Sequence, residues 1–113
     1  MTVMTWRQLC ALARALPEVT EDTWYRTPAL KVRGKGFVRL KEDGKTVVFM
    51  LASLDDQEAL VAMKPSTYFI TDHYRGSAAV LAHLSKLTPA QARERLDHAW
   101  RAMAPKSLLR LSQ

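Results

Sequence analysis

The sequence predicts an α+β fold in which one antiparallel sheet carries its helices on one face. Two observations predict this class: hydrophobic residues recur at helical spacing near both ends of the chain, and they alternate with a period of two in between. The predicted order of elements is α–β–β–β–α–β–β–α, without an internal repeat. With 113 residues, 48% of them hydrophobic and 25% charged, the chain is expected to form one domain over residues 1–113.

The first helix is predicted over residues 5–16, with its hydrophobic positions on one side. Thr5 is suited to cap the N-terminus of this helix, and Pro17 ends it. The next segment, EVTEDTW at 18–24, is acidic and has no hydrophobic period. It is therefore predicted to be a loop.

Three strands are predicted next, connected by tight turns. Lys31 and Arg33 alternate with hydrophobic residues in the first strand, and the sequence GKG follows it as a turn. The second strand runs over 37–41 and ends at EDGK, which contains an Asp-Gly hairpin signal. The third strand, TVVFML at 46–51, is continuously hydrophobic, which is typical of a central position in a sheet.

The second half of the chain begins with a helix that Ser53 caps and Pro65 ends. Acidic residues fill its first turn, where the helix dipole favours negative charge. The run STYFIT at 66–71 predicts a short strand, whereas AAVLAHLS at 78–85 suits a strand and a helix equally well. The last helix follows TPAQ at 88–91, in which threonine caps, proline takes the first position and glutamine completes a capping box.

The composition also predicts a cellular setting. Cys10 is the single cysteine, so no internal disulfide is possible and a reducing environment is favoured. No hydrophobic run is long enough to span a bilayer, and the N-terminus lacks the basic and hydrophobic regions of a signal peptide. We therefore expect a monomeric cytoplasmic protein without a membrane partner.

Positive charge is concentrated in residues 26–45. This segment has seven basic and two acidic residues, a net charge of +5 within a total of +6. Five of the basic residues are predicted to share one face of a hairpin, with the middle one at its tip: Lys31, Arg33, Lys35, Arg39 and Lys41. Such a stripe suits contact with phosphates, but it also suits a solvated sheet face whose charges discourage association between edges.

The segment TDHYRG at 71–76 combines polar and aromatic side chains before a glycine. We interpret it first as a structural turn, and alternatively as a second binding element in which His73, Tyr74 and Arg75 lie beside the basic hairpin. Catalysis by His73 is not favoured, since adjacent residues of an extended segment point to opposite faces and Asp72 cannot orient it. A metal site is not expected either, because the spacing of the three histidines matches no compact ligand motif. No enzyme activity and no cofactor are predicted.

Three runs carry a family resemblance: YRTPALKVRGKGFVRLKED, HYRG and AWRAMAPKSL. Together they resemble the MmcQ/YjbR family of small bacterial proteins over nearly the whole chain. The resemblance implies a frataxin-like, CyaY-like two-layer sandwich and DNA binding through a "double wing" of β-hairpins. Frataxins handle iron through acidic residues of the first helix, whereas the first helix here contains no acid and carries Arg7 and Arg14. An iron site is thus disfavoured, and Glu18, Glu21 and Asp22 are the remaining acidic group nearby.

These observations predict a DNA-binding module that contacts double-stranded DNA or another polyanion. The chain has no asparagine, and its glutamines lie outside the hairpin, so mainly phosphate contacts with weak sequence preference are expected. One alternative is a protein-interaction domain, in which exposed aromatic residues such as Phe37, Tyr68 and Tyr74 matter more than the lysines. The other is a small-ligand-binding domain or an enzyme, which requires a concave apolar pocket containing a titratable residue.

Overall fold

A computed structural model describes residues 4–111 of the chain, and it has the predicted α+β class. The helices are α1 (Trp6–Ala13), α2 (Leu54–Met63), α3 (Pro89–Met103) and α4 (Lys106–Leu111). The strands are β1 (Val19–Trp24), β2 (Thr27–Val32), β3 (Lys35–Leu40), β4 (Thr46–Met50), β5 (Tyr68–Phe69) and β6 (Ala79–His83). All neighbouring strands pair antiparallel, in the spatial order β1-β2-β3-β4-β6-β5.

The hydrophobic core fills the space between the helices and one face of this sheet. Trp100 on α3 is the largest fully buried side chain, and it packs with residues such as Phe37, Phe49 and Leu9. The Trp100 indole Nε1 donates a hydrogen bond to the Pro17 carbonyl oxygen at 3.0 Å, which ties α3 to the chain leaving α1. Each large apolar side chain buried in this way contributes roughly 1.5–3 kcal/mol to folding.

The opposite sheet surface, which we call the open face, carries a smaller hydrophobic cluster. Val48, Ala79 and Leu81 are buried there, against the partly buried Met50, Phe69 and Tyr74. They alternate along β4 and β6 with the core residues of the other face, as the pleat of a strand requires. The sheet therefore has hydrophobic side chains on both faces, with the main core on one face and this smaller cluster on the other.

The helix starts agree with the capping signals. Thr5 accepts a hydrogen bond from the Gln8 backbone N–H, and Ser53 does the same for Asp56. At α3 the predicted capping box is formed by Thr88 and Gln91, with proline at the start of the helix. Such caps satisfy backbone N–H groups that have no partner within the helix.

Residues 18–24, predicted to be a loop, instead contain β1, which pairs with β2 from Val19↔Val32 to Trp24↔Thr27. The prediction was wrong because β1 is an edge strand with four consecutive exposed residues, so it shows no hydrophobic alternation. Two further elements complete the architecture. The ambiguous run at 78–85 contains β6, which pairs with both β4 and β5, and α4 extends the chain beyond the last predicted helix.

The β2–β3 hairpin also departs from its predicted geometry. Its two-residue tip consists of Arg33 and Gly34, both with positive φ (47° and 81°), whereas Lys35 already begins β3. Leu30 pairs with Val38 while the next residue of β2 pairs with Gly36, so Phe37 is an extra residue in a bulge. The bulge allows Phe37, predicted on the polar side, to be fully buried. Among residues 4–111, no helix is both long and apolar enough to cross a membrane.

Candidate functional site on the open face

The five basic residues of the predicted stripe do not form one exposed surface. Lys31 Nζ lies 3.4 Å from an Asp22 carboxylate oxygen. Arg33, which lies in the turn and not in a strand, donates to both carboxylate oxygens of Glu18 at 3.1 and 2.9 Å. The hydrogen bond from Arg33 holds the pKa of Glu18 below its ordinary value, so this carboxylate stays ionised at neutral pH.

The acidic residues that neutralise Lys31 and Arg33 lie in β1 or directly before it, in the segment that was predicted to be a loop. Extending the charged segment to residues 18–45 gives seven basic and five acidic residues, so the net charge falls to +2. The three acids that remained as a possible cation site are each paired with a basic residue: Glu18 with Arg33, Glu21 with Arg14 and Asp22 with Lys31. Ion pairs therefore interrupt the predicted stripe, and each of these three acids already has a cationic partner.

Arg39 is the clearest correction, because its side chain is only 7% exposed. Its Nη1 donates to Thr27 Oγ1 at 3.1 Å and to a Glu42 oxygen at 3.4 Å, and its Nη2 donates to the Tyr74 hydroxyl at 3.0 Å. The guanidinium carbon lies 5.3 Å from the ring centroid of Tyr25, within cation–π range. Burial lowers the pKa of Arg39, but the bonds to Tyr74 and Glu42 outweigh it and raise the pKa overall, so the buried group is a cation.

The remaining stripe residues differ from one another. Lys41 is partly exposed, with its Nζ 3.7 Å from Glu42 and 5.8 Å from the ring centroid of Tyr74. Lys35 is exposed, and no acidic residue of the described chain pairs with it. The structure therefore brings Arg39 and Lys41 to one aromatic side chain and leaves Lys35 outside this group.

The turn at 71–76 forms a 3-10 helix over Asp72–Tyr74 that folds back onto the open face. Tyr74 points inward to Arg39, and the His73 ring meets the Tyr74 ring edge-on with centroids 4.8 Å apart. Asp72 accepts a bond from the exposed Arg75 at 3.1 Å. The two sequence elements selected for the site do meet, through Tyr74 and not through Arg75.

Gln57 on α2 holds this turn in place. Its side-chain Nε2 donates to the carbonyl oxygens of Tyr74, Ser77 and Ala79 at 3.2, 2.8 and 2.7 Å, and the residue is buried. The amide nitrogen carries two N–H groups, so the two short bonds go to Ser77 and Ala79, and the longer contact with Tyr74 shares one of these groups. Sequence reasoning missed this role, since the one available signal was a glutamine among the hydrophobic positions of α2.

These contacts enclose a pocket of about 200 Å³ on the open face. The residues that line it are Trp24, Tyr25, Arg39, Val48, Met50, His73, Tyr74, Ser77 and Ala79. Aromatic rings and apolar side chains supply most of the wall, and the buried guanidinium supplies a fixed positive charge. This combination of an apolar cavity with a few convergent polar groups is typical of small-molecule sites.

Trp24 and Tyr25 are the site residues that sequence reasoning missed. Their rings stack at 5.6 Å, and Tyr25 is 72% exposed. Tyr25 and Arg26 form the β1–β2 turn with φ of 55° and 67°, a conformation that hairpins usually assign to asparagine and glycine. A non-glycine residue held there costs roughly 1–3 kcal/mol, and such strain concentrates at ligand sites. The available signal was the pair of aromatic residues in TWYR, directly before the strand.

Gly36 leaves room on the sheet for the Trp24 ring. A Cβ atom added to Gly36 would overlap the six-membered ring of the Trp24 indole. This glycine, part of the GKG predicted as a turn, therefore lies within β3 and serves close packing, whereas Gly34 supplies the positive φ of the turn. The indole can lie flat against the sheet only because position 36 has no side chain.

Other predicted surface features are absent from the described part of the chain. Phe37 and Tyr68 are 0% and 3% exposed, so Tyr25 replaces them as the prominent exposed aromatic residue. Burial raises the pKa of the Cys10 thiol to about 11, with a smaller contribution from Glu21, so the thiol is not ionised at neutral pH. Within residues 4–111, no three His, Cys, Asp or Glu side chains converge in a way that could hold a metal ion.

Comparison with known proteins places the chain in a family. The model of the YjbR family matches residues 14–102, which is most of the chain, and the chain belongs to this family. A crystal structure of Deinococcus radiodurans protein DR2400, with a DUF419 domain, superposes with a TM-score of 0.70 at 18% identity, covering 87% of this chain and 77% of that one. This likeness shows the fold.

Curated relatives share a shorter segment. The uncharacterized proteins Rv2570 of Mycobacterium tuberculosis and Mb2600 of Mycobacterium bovis are each 39% identical over 51 residues. The match covers 45% of this chain and spans 40% of the length of those relatives. Because they are uncharacterized, any activity has to be argued from the site itself.

Proposed function

We propose that this member of the YjbR family is a binding domain that accepts a small planar anion, an aromatic carboxylate, in the pocket on the open face. The observation that carries the proposal is Arg39, a buried cation at the pocket with unused donors. Its three hydrogen bonds leave one N–H on Nε and one on Nη2 without an acceptor among the described residues. Two adjacent N–H groups of this kind match the two oxygens of a carboxylate.

The walls of the pocket suit a flat ring. Trp24, Tyr25 and Tyr74 present aromatic surfaces, which attract another ring in offset or edge-to-face arrangements. A volume of about 200 Å³ is below the range of roughly 300–1,000 Å³ that holds drug-sized ligands. The occupant is therefore about as large as a single substituted ring.

Binding without catalysis is the more economical proposal. His73 is the one titratable side chain of the pocket besides Arg39 and the tyrosines, and no described carboxylate or hydroxyl forms a hydrogen bond with it. In activated-nucleophile sites the base is oriented by such a partner, and His73 has none among the described residues. The Cys10 thiol is buried in the core on the other side of the sheet.

Benzoate is the probe that tests the proposal. Titration of benzoate into the protein, followed by ¹H–¹⁵N NMR spectra, is expected to shift the amide signals of residues 24–26, 39 and 73–79. Benzamide lacks the charge and cyclohexanecarboxylate lacks the flat ring, so both should bind at least about tenfold more weakly. Equal binding of benzoate and cyclohexanecarboxylate would contradict aromatic recognition, and absence of any shift with benzoate would overturn the proposal.

Phosphate contact with double-stranded DNA is the second candidate function, and one observation favours it. In an antiparallel meander alternate turns lie at the same end of the sheet, which brings Arg26 of the β1–β2 turn near Lys41 and Lys45 of the β3–β4 turn. No described acidic residue pairs with Arg26 or Lys45. These cations carry the DNA proposal better than the neutralised stripe does, and they imply mainly phosphate contacts with weak sequence preference.

Salt dependence tests this second candidate. With about three phosphates engaged, the logarithm of the affinity for a duplex of two helical turns should fall against the logarithm of salt concentration with a slope of roughly −3. An Arg26→Glu, Lys45→Glu variant should lose this binding in fluorescence anisotropy. Lys64→Glu, Lys106→Glu, an equal double charge reversal at the C-terminal end of α2 and the start of α4, serves as the control. A variant that binds as tightly as the native chain would remove these cations from the interface.

A further inference from the structure

We infer that a second binding site lies between α2 and α3, on the helical side of the sheet, and that it takes a small zwitterion, a free amino acid. A cavity of about 250 Å³ opens there, lined by Asp56 of α2 and by Arg95, His98 and Arg101 of α3. None of these residues belongs to the pocket on the open face. The inference therefore stands or falls independently of the proposed function.

Arg95 is the group that points to an anionic partner. Its side chain is only 7% exposed, although it lines the cavity. Both of its contacts use Nη2, which lies 3.2 Å from a Glu94 oxygen and 2.8 Å from His98 Nδ1. Nε and Nη1 form no hydrogen bond with any residue of the described chain, so a buried cation retains three N–H donors without protein acceptors. No buried side-chain nitrogen of the described chain lacks a partner, so these N–H groups are the accessible part of a mostly buried guanidinium that lines the cavity. A carboxylate matches two such adjacent donors.

His98 adds a further donor to the same cavity. A guanidinium has no acceptor, so the short contact with Arg95 requires Nδ1 of His98 to be the unprotonated nitrogen. The proton of the neutral ring is then on Nε2, which becomes an N–H donor. Arg101 also lines the cavity, but its Nε donates to Asp97 at 3.2 and 3.0 Å and its side chain is 45% exposed, so it is far less desolvated than Arg95. Arg95 and His98 are therefore the anion-binding pair.

Asp56 indicates that the ligand also carries a positive charge. Its carboxylate lines the same cavity from the first turn of α2, and no described basic residue pairs with it. A simple anion would be repelled by Asp56, and a simple cation by Arg95. A ligand with a carboxylate and an ammonium group on one carbon can pair its carboxylate with Arg95 and its ammonium group with Asp56. The cavity volume suits a single amino acid.

The test uses L-alanine as the probe, with propionate and L-alaninamide as matched compounds that each lack one charge. L-alanine is expected to shift the amide signals of residues 51–56 and 95–102 in ¹H–¹⁵N NMR spectra, with millimolar or tighter affinity. Propionate and L-alaninamide should bind at least about tenfold more weakly, because each leaves one wall charge unmatched.

Two variants separate the site from its surroundings. Arg95→Met and Asp56→Asn should each weaken L-alanine binding at least about tenfold, while Arg93→Met, an exposed position of α3 outside this cavity, should leave it unchanged. Asp56 is exposed, so Asp56→Asn keeps the fold even where Arg95→Met impairs it. The inference is overturned when L-alanine shifts none of these signals. It is also overturned when L-alanine binds the Asp56→Asn variant as tightly as the native chain and propionate binds the native chain as tightly as L-alanine does.

Discussion

Replacing Arg39 by methionine is expected to weaken benzoate binding by roughly 30-fold or more while the protein remains folded. Loss of one partner of a desolvated charge pair costs about 2 kcal/mol or more, which corresponds to this factor. The fold should tolerate the change because methionine matches much of the length of the arginine stem, and Glu42, the acid that loses its partner, is 67% exposed and remains solvated. Thr27 keeps its bond to the Trp24 carbonyl, and the Tyr74 hydroxyl can turn to water.

Isothermal titration calorimetry with benzoate measures this effect, and circular dichroism verifies the fold. Arg39→Lys distinguishes charge from geometry, because lysine keeps the charge but lacks the fork that pairs with two oxygens. It should recover only part of the affinity. Lys35→Met is the matched control, since it removes an exposed cation of β3 outside the pocket. If Lys35→Met weakens binding as much as Arg39→Met, the pocket is not the site and general charge attraction explains the affinity.

The fold was predictable where its signals are local. The caps at Thr5, Ser53 and Thr88 mark the helix starts because a cap depends on a side chain and a backbone N–H three residues later. The turn at Asp43 and Gly44 is equally local, since the Asp43 carboxylate accepts bonds from the backbone N–H groups of Lys45 and Thr46. Strand β1 could not be found in this way, because an edge strand needs no hydrophobic face to be stable once β2 pairs with it.

The charge pattern misled because it was counted along the chain and not across the sheet. Antiparallel pairing with β1 brings Asp22 to Lys31, while Glu18, just before β1, reaches Arg33 at the hairpin tip. Positions that alternate with hydrophobic residues are predicted to face away from the core, and Arg39 does so. The alternation could not reveal that Tyr74, 35 residues later, covers this side as well.

The sequence nevertheless indicated part of the pocket, although it predicted those residues as contacts to nucleic acid. Arg39, His73 and Tyr74 were chosen as contacts to a polyanion, and they line one pocket. Trp24 and Tyr25 were missed because Trp24 ends the segment interpreted as a loop and Tyr25 directly follows it. Their position depends on the strained β1–β2 turn and on the missing side chain of Gly36, which are properties of paired strands and not of one segment.

The turn that carries Tyr74 depends on Gln57, and Gln57→Leu is expected to lower the free energy of unfolding by about 1–3 kcal/mol. Leucine fills similar space but removes the Nε2 donor. The Tyr74 and Ser77 carbonyls keep the bonds that they accept from the Ser77 and Ala79 backbone N–H groups. The buried Ala79 carbonyl loses its 2.7 Å bond, and one buried acceptor left unpaired costs roughly 1–3 kcal/mol. Urea denaturation measures the loss. Glu58→Gln, an exposed change at the next position of α2, should alter stability by less than about 0.5 kcal/mol.

The same variant separates a structural role from a positioning role. When the turn loosens, Tyr74 no longer holds Arg39 at a fixed distance, so benzoate affinity should fall even under conditions where the Gln57→Leu protein is fully folded. Arg39→Met removes the positive charge that binds the carboxylate. Gln57→Leu keeps this charge but removes the hydrogen bonds that hold the Tyr74 turn at the pocket. Unchanged benzoate affinity in a destabilised but folded Gln57→Leu protein would mean that the pocket forms without this support, and Gln57 would then serve only the fold.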